Sequence, residues 1–573
     1  MNREALYHCP KSNYAYPYTT KDIRIRFRTA KDDVKEVRLF YGVKFDWANK
    51  TYRAMEKIGS DEYFDYYQYN IQQDDIRLGY YFEVITEEED FFYTEAGMLD
   101  AFDDSLAHCL FFQYPSAHEV DIPHKPSWYS DAIFYQIFVE RFANGNPDIS
   151  PDRTVPWESD PTPKSFYGGD LEGITSNLSY LEELGVNAIY LTPIFESISN
   201  HKYDTIDYYQ IDPHFGSKED FRELVTKAHE KGIRIILDAV FNHCSEHFAP
   251  FQDVIKNGEN SRYKDWFLIK EFPVNKEEPN YEMFASVPYM PRLNTANKEV
   301  REYLFDVVRY WTKEYDIDGW RLDVADEPDH CFWREFRKVV KEIDKDLIII
   351  GEVWHDSFPW LQGDQFDTVM NYPITNQAIH YFAKGDIDAR GFSDALMMQL
   401  MKYPDRMNEM MFNLLDSHDT ERFLYMCNEN KQSLMNAAAF LFGYLGSPCV
   451  YYGTEIGLTG GYDPGCRKGF NWNTEEWDTE VHNFYMKLIQ IRKTEKALRY
   501  GLVTFLSSND LFIMKRSYEE TDIYVVINQT GHSGKLPKNV IPSNHTDLLC
   551  SQMMKGNEIM PYTAHYFKIS KGE

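Results

Sequence analysis

The sequence predicts a multidomain α/β protein, a (β/α)8 TIM barrel with an inserted subdomain, flanked by N-terminal and C-terminal all-β domains. Three observations predict it. Residues up to about 113 carry the period-two alternation of strands. From Ala132 short β-branched or aromatic runs alternate with amphipathic helices, and from Leu502 the chain returns to a β pattern. A length of 573 residues accommodates several domains.

In the first segment Ile23-Arg24-Ile25-Arg26-Phe27-Arg28 alternates, and Val37 to Phe40 and Tyr81 to Val84 continue in kind, which predicts a sandwich over residues 1–124. Pro115, Pro123 and Pro126 then interrupt any ladder or helix, placing a boundary near 125. The predicted barrel, residues 125–495, shows its logic in single units. Ser217 with Asp220 starts a helix as a capping box, Phe221, Leu224, Val225 and Ala228 line one face, and Gly232 stops it before the strand ending at Asp238. Leu178, Leu181 and Leu184 line the preceding helix, Gly185 ends it, and Ala188 to Leu191 is its strand. With Ala132 to Val139, Gly319 to Asp323, Leu347 to Glu352, Thr368 to Met370, Met411 to Leu415 and Cys449 to Tyr452, there are eight candidate strands.

A barrel of about 250 residues allows about 30 per unit. Asp323 and Glu352 are 29 apart, one unit, whereas Asp238 and Asp323 are 85 apart. The excess follows Asn242-His243 and holds Tyr263, Trp266, Phe267, Tyr281 and Phe284, so it reads as an inserted subdomain over the barrel mouth, about 243–295. The helix carrying Val481, Tyr485 and Leu488 closes the series, and residues 496–573 form the C-terminal all-β domain.

Composition restricts the partners. A net charge of −31 and a pI near 5.0 argue against nucleic acid or an anionic membrane, both of which demand a basic surface. No apolar run of about 18 residues predicts a membrane span, and Met1 to Tyr18 has no signal-like apolar core. The eight cysteines contain no CxxC pair, as expected of reduced thiols in a cytoplasmic protein. Aromatic residues make up 16% of the chain; flat rings suit sugar faces, but they fill cores equally well.

Asp238, Asp323, Glu352 and Asp419 stand at or just past the ends of predicted strands. In a parallel barrel those ends meet on one face, so distant residues enter one cleft. Each acid alone reads as a cap or a solvated loop residue; four at one topological position point to chemistry. Arg321 and Asp323 share a strand face, where a guanidinium orients a carboxylate and keeps it ionised, as a nucleophile requires. Glu352 sits between Ile348-Ile349-Ile350-Gly351 and Val353-Trp354, an apolar setting that raises a carboxyl pKa and suits a proton donor. Core or ion-pair roles without chemistry remain open for both on this ground alone.

Four blocks, Asp238-Ala239-Val240-Phe241-Asn242-His243, Gly319-Trp320-Arg321-Leu322-Asp323, Gly351-Glu352-Val353-Trp354-His355 and Ser417-His418-Asp419, resemble in order the four sequence regions of the α-amylase family of glycoside hydrolases. Met290-Pro291-Arg292-Leu293-Asn294 and Asn200-His201-Lys202-Tyr203-Asp204-Thr205 are most similar to its neopullulanase, cyclomaltodextrinase and maltogenic amylase subgroup. The resemblance implies a retaining hydrolase of α-1,4-glucosidic bonds, with α-1,6 bonds left open, in cyclodextrins, pullulan and maltooligosaccharides. By position it implies Asp323 as nucleophile, Glu352 as acid then base, and Asp419 as the third catalytic acid. It implies His243, Arg321, His418, Tyr203, Trp354 and Glu327 around the sugar, Asp463 and Arg467 on donor-side sugars, and Asp238 as organiser of the shell. It also implies a homodimer through the N-terminal domain and no organic cofactor. The rival readings are a mainly transglycosylating or α-1,6-specific relative and, from another class, a non-catalytic sugar-binding protein.

The match departs from the subgroup at two places. The block after the nucleophile reads Val324-Ala325-Asp326-Glu327-Pro328-Asp329-His330, with Asp326 where an amide is usual and Pro328 stiffening the loop. A calcium site is left open: Asn144, Asn146 and Asp148 with Gly168 and Asp170 supply oxygens, but Ile149 in the same loop supplies no side-chain oxygen.

Overall fold

The computed structural model describes residues 1–537, 540–541, 545–549 and 557–570. Cys550, one of the eight cysteines, lies outside the described residues.

The N-terminal residues form two facing antiparallel sheets. One orders Ala15–Thr19, Asp22–Ala30, Phe64–Gln72 and Glu56–Ser60; the other is built around Glu36–Val43 and Leu78–Ile85. Ile23, Ile25, Phe27, Leu39, Phe82 and Val84 meet between them, which is the apolar half of the alternation read from the sequence. The charged half is not left in water. Arg24 and Arg26 are buried because that sheet face packs on the barrel segment carrying Tyr403 and Asp405.

The central sheet is parallel and has eight strands: β1 Phe134–Ile137, β2 Ala188–Leu191, β3 Arg234–Ala239, β4 Gly319–Leu322, β5 Ile348–Gly351, β6 Thr368–Val369, β7 Phe412–Leu414 and β8 Ser447–Tyr451. Hydrogen bonding runs β6-β5-β4-β3-β2-β1-β8-β7. A parallel bridge from Met370 to Phe412, with Asn371 N–H donating to Phe412 C=O at 2.8 Å, joins the two ends into a closed barrel. Strands buried on both faces need apolar residues throughout, hence runs such as Ile348-Ile349-Ile350.

The helices follow local signals. Ser217 and Asp220 make a reciprocal capping box at the start of Lys218–Glu230, whose buried residues are Phe221, Leu224, Val225 and Ala228. Gly185 ends Leu178–Leu184 at φ +95°, a left-handed conformation that a side chain would resist, and turns the chain into β2. After β3, residues His243 to Thr295 pack helix Ala249–Asn257 and the rings of Phe251, Phe267 and Tyr281 beside the barrel mouth. Beyond the helix Thr479–Thr494, five antiparallel strands from Leu502–Phe505 to Thr563–Ser570 make one sheet, and Gly534–Lys535 pairs with Glu558–Ile559 in a second.

Candidate active site

The barrel's parallel strands aim their carboxyl ends at one cavity of about 500 Å³. Asp238 is the fifth residue of β3, Asp323 and Glu352 follow β4 and β5 directly, and Asp419 lies in the loop after β7. Asp323, Glu352 and Asp419 line the cavity together with His201, Tyr203, His243, Trp354, Asp463 and Arg467.

Arg321 ties the acids together. Its Nη1 donates to Asp238 Oδ1 and Oδ2 at 3.0 and 2.9 Å and to Asp323 Oδ1 at 2.8 Å, while Nη2 makes an ion-pair contact of 2.8 Å with Glu352 Oε2. One guanidinium thus touches three carboxylates from three strands. The turn after β4 adds a donor: Val324, a β-branched residue held at φ +45°, points its N–H at Glu352 Oε2, 2.9 Å away. That conformation is strained for such a side chain and persists because the surrounding structure enforces it. Trp354 Nε1 donates to Glu352 Oε1 at 3.0 Å.

A second network stands behind. Tyr190 and Tyr203 hydroxyls donate to Asp238 Oδ2 at 2.7 and 2.9 Å. The Gln136 amide donates to His418 Nδ1 at 2.7 Å, which leaves the proton of a neutral His418 on Nε2, facing the Tyr203 hydroxyl and, at 3.2 Å, Asp419 Oδ2. Arg467 bonds the His418 carbonyl at 2.8 Å and reaches Asp419 Oδ1 at 3.3 Å and Asp463 Oδ1 at 3.0 Å. Asp238 and Arg321 therefore form the floor, with the other acids above them.

Electrostatics follow from the crowding. Burial pushes the Asp323, Glu352 and Asp419 carboxyls up, neighbouring carboxylates reinforce the rise at each reacting acid, and Arg321 opposes it. Asp238 is pushed up to about 6, again chiefly by burial. The rise at Glu352 agrees with its apolar setting in the sequence. At Asp323 Arg321 opposes the rise, as its place two residues away on the strand predicts, but this single cation is shared among three acids. Asp323 Oδ1 accepts its bond from Arg321. Asp323 Oδ2 and both ring nitrogens of His243 are buried without a protein partner, 4.0 Å separating Oδ2 from Nε2. Burial drives His243 down to about 3, so it is neutral near pH 7. Unpaired acceptors and donors facing a cavity are ready for a ligand rich in hydroxyls.

Not every expected residue reaches the cavity. Glu327 does not line it: its carboxylate accepts from Asn242 Nδ2 at 2.9 Å and pairs with Arg292, and the preceding Asp326 lines the cavity instead. The five residues named for calcium lie in one loop region and are held by hydrogen bonds of their own. Asp170 spends its carboxylate capping the helix Leu171–Ser176, taking N–H groups of Gly145, Asn146 and Gly173. Asn144 Nδ2 donates to Ser150 Oγ at 2.9 Å, Asn146 Oδ1 accepts from the Asp148 N–H, Asp148 is exposed, and a Cβ on Gly168 would meet Ser150 Oγ at 2.6 Å. Among the described residues no group of three or more His, Cys, Asp or Glu is placed to hold a metal ion.

The cavity also includes Phe284, Val287, Tyr289, Met290 and Tyr462. Phe284 stacks on His243 with ring centroids 4.7 Å apart. His201 and Met290 lie inside blocks quoted from the sequence and Tyr462 adjoins Asp463; Val287 and Tyr289 carry no local signal.

Comparison with known proteins agrees with this geometry. The family described as alpha amylase, catalytic domain, matches residues 136–476, and the one described as alpha amylase, N-terminal ig-like domain, matches 1–118. A cyclomaltodextrinase of Geobacillus thermopakistaniensis is 50% identical over 94% of this chain and 93% of its own. Neopullulanase 2 of Thermoactinomyces vulgaris is 45% identical over 93% of this chain and 92% of its own. A solved cyclomaltodextrinase superposes with a TM-score of 0.94 at 43% identity, covering 99% of this chain and 100% of the other.

Proposed function

The chain is a glycoside hydrolase belonging to the α-amylase family, and from that premise we propose that it cleaves α-1,4-glucosidic bonds in cyclodextrins, pullulan and maltooligosaccharides with retention. The observation that carries the proposal is the contact of Arg321 with both Asp323 and Glu352 at the cavity floor. Asp323 attacks the anomeric carbon, and the glycosidic C–O electron pair leaves with the departing oxygen, which takes a proton from the Glu352 carboxylic acid. Glu352, now a carboxylate, then removes a proton from water, whose oxygen displaces Asp323. Val324 N–H and Trp354 Nε1–H stabilise that carboxylate in turn. His243, with both nitrogens unpaired, and Asp419 bind hydroxyls of the reacting ring; Tyr203 and Trp354 supply stacking faces, and Arg467 with Asp463 holds the donor side.

A second reading is a mainly transglycosylating or α-1,6-specific enzyme. It is favoured by Asp326, a charge that lines the cavity and pairs with His355 at 3.1 Å. The reading extends to a homodimer through the N-terminal domain, tested by solution mass at low concentration. Seven free cysteines among the described residues favour a cytoplasmic location, and no described helix is long and apolar enough to cross a membrane. Product analysis on a cyclodextrin, pullulan and linear maltohexaose tests the whole. Maltose-rich products from the ring at least as fast as from the linear chain are expected. No cleavage of any of the three would overturn the hydrolase reading, and cleavage of α-1,6 bonds alone would select the second.

A further inference from the structure

The loop 458–467 carries Asp463 and Arg467 to the cavity, yet it contains no helix or strand, so no ladder or helical turn fixes its position. Its two limbs touch: a Cβ on Gly460 would meet the Gly465 carbonyl oxygen at 2.1 Å, a close approach that requires glycine. Arg422 grips both limbs. Its backbone N–H donates to the Gly460 carbonyl at 3.0 Å, and its Nε donates to the Cys466 carbonyl at 2.9 Å. Nη1 donates to the Tyr452 carbonyl at 2.8 Å and to Thr454 Oγ1 at 3.4 Å, which fastens the loop to the chain just past β8. The guanidinium is fully buried, 4.4 and 4.8 Å from the ring centroids of Tyr451 and Tyr452, and these hydrogen bonds all go to uncharged groups. Burying a cation in this way costs stability, which points to a task beyond filling space.

What the grip holds lies next to the chemistry. Cys466 precedes Arg467, whose Nε donates to the His418 carbonyl at 2.8 Å and whose Nη groups reach Asp419 Oδ1 at 3.3 Å and Asp463 Oδ1 at 3.0 Å. Asp419 stands three residues before Arg422, so Arg422 joins the segment bearing that acid to the segment bearing its cation. Arg467 opposes the burial that raises the Asp419 carboxyl. Arg422 itself does not line the cavity. We propose that Arg422 is a positioning residue of the reaction: by holding both limbs of the loop it keeps Arg467 against Asp419 and Asp463, and so keeps Asp419 an acceptor for sugar hydroxyls and the donor-side pair in place. The proposal rests on the α-glucan reading above.

The test is Arg422→Lys in the full chain, because an ammonium keeps the charge without the planar fork that reaches the Cys466 and Tyr452 carbonyls together. For maltohexaose, KM rises about fivefold with kcat kept within about twofold, the size of one net hydrogen bond lost from binding, and the acidic limb of kcat/KM moves up by about half a pH unit. In an Arg467→Ala background the same change leaves KM within about 1.5-fold, because the residue it acts through is gone. A crystal structure of Arg422→Lys shows Arg467 withdrawn from Asp419. Should that variant not fold, Gly460→Ala, which forces the limbs apart from the other side, gives the same rise in KM, and an unchanged KM there overturns the proposal. A lower melting temperature with KM and the acidic limb unchanged in Arg422→Lys overturns it, leaving Arg422 a packing residue, and so does the full effect in the Arg467→Ala background. If the unaltered enzyme cleaves no glucan, the failure lies in the reading beneath, and the crystal structure still decides: Arg467 in place against Asp419 overturns the proposal.

Discussion

Two buried arginine clusters, one at the barrel mouth and one where the N-terminal sheet meets the barrel, are built from the same parts with opposite balance. At the junction Arg24 and Arg26 both pair with Asp405, and Arg26 also donates to the Tyr403 carbonyl at 2.8 Å and to Gln68 Oε1 at 3.0 Å. Burial tends to raise the Asp405 carboxyl, but two guanidiniums outweigh it and hold it below the usual range. At the mouth one guanidinium serves Asp238, Asp323 and Glu352, and every carboxyl is raised. A cluster with cations in excess fastens two parts of the fold. A cluster with acids in excess raises its carboxyls at a cost in stability, as sites made for chemistry do.

Neutralising one acid in each cluster breaks the comparison most sharply. Asp323→Asn lowers kcat by about four orders of magnitude on any cleaved glucan. The same change raises the unfolding free energy at pH 7 by about 1 kcal/mol in urea titration, because the folded state no longer holds a crowded carboxylate. Asp405→Asn does the reverse: stability falls by about 3 kcal/mol, since two buried cations lose their counter-charge, while kcat per folded molecule is kept.

The pH dependence separates the clusters further. A carboxyl lowered in the folded state stabilises above its ordinary value and loses that contribution as pH falls, so Asp405 weakens the fold below about pH 4. A raised carboxyl acts oppositely. For Asp238 the cost grows as pH rises from its ordinary value of 3.8 toward about 6, and thermal unfolding across that interval shows a flatter gain for the intact protein than for Asp238→Asn. The smallest effect is expected at Glu327→Gln. Its carboxylate faces Asn242 and Arg292 at the rim, and kcat/KM on maltohexaose changes by less than about twofold.

The legibility of these features in the sequence differed by range. The eight strands, the capping box at Ser217 and the left-handed stop at Gly185 depend on neighbours within a few residues, and they were read where they occur. The acids at the strand ends were legible because barrel topology converts position along a strand into position in space. The burial of Arg24 and Arg26 was not legible, because alternation reports two faces of a sheet without reporting what packs on the second. Val287 and Tyr289 enter the cavity from the long segment after β3, whose path no periodicity describes.

The sequence by itself determined the order of strands and helices, the apolar face of each and the four acids that a closed parallel barrel must bring to one rim, since all of these follow from local periodicity and a single topology. Tertiary structure decided how one guanidinium is divided among three carboxyls, that Glu327 stays outside while Asp326 lines the cavity, and that Asp170 caps a helix. Those outcomes turn on distances of a few ångströms between residues far apart in the chain, where charge, burial and hydrogen-bond supply are settled only after packing.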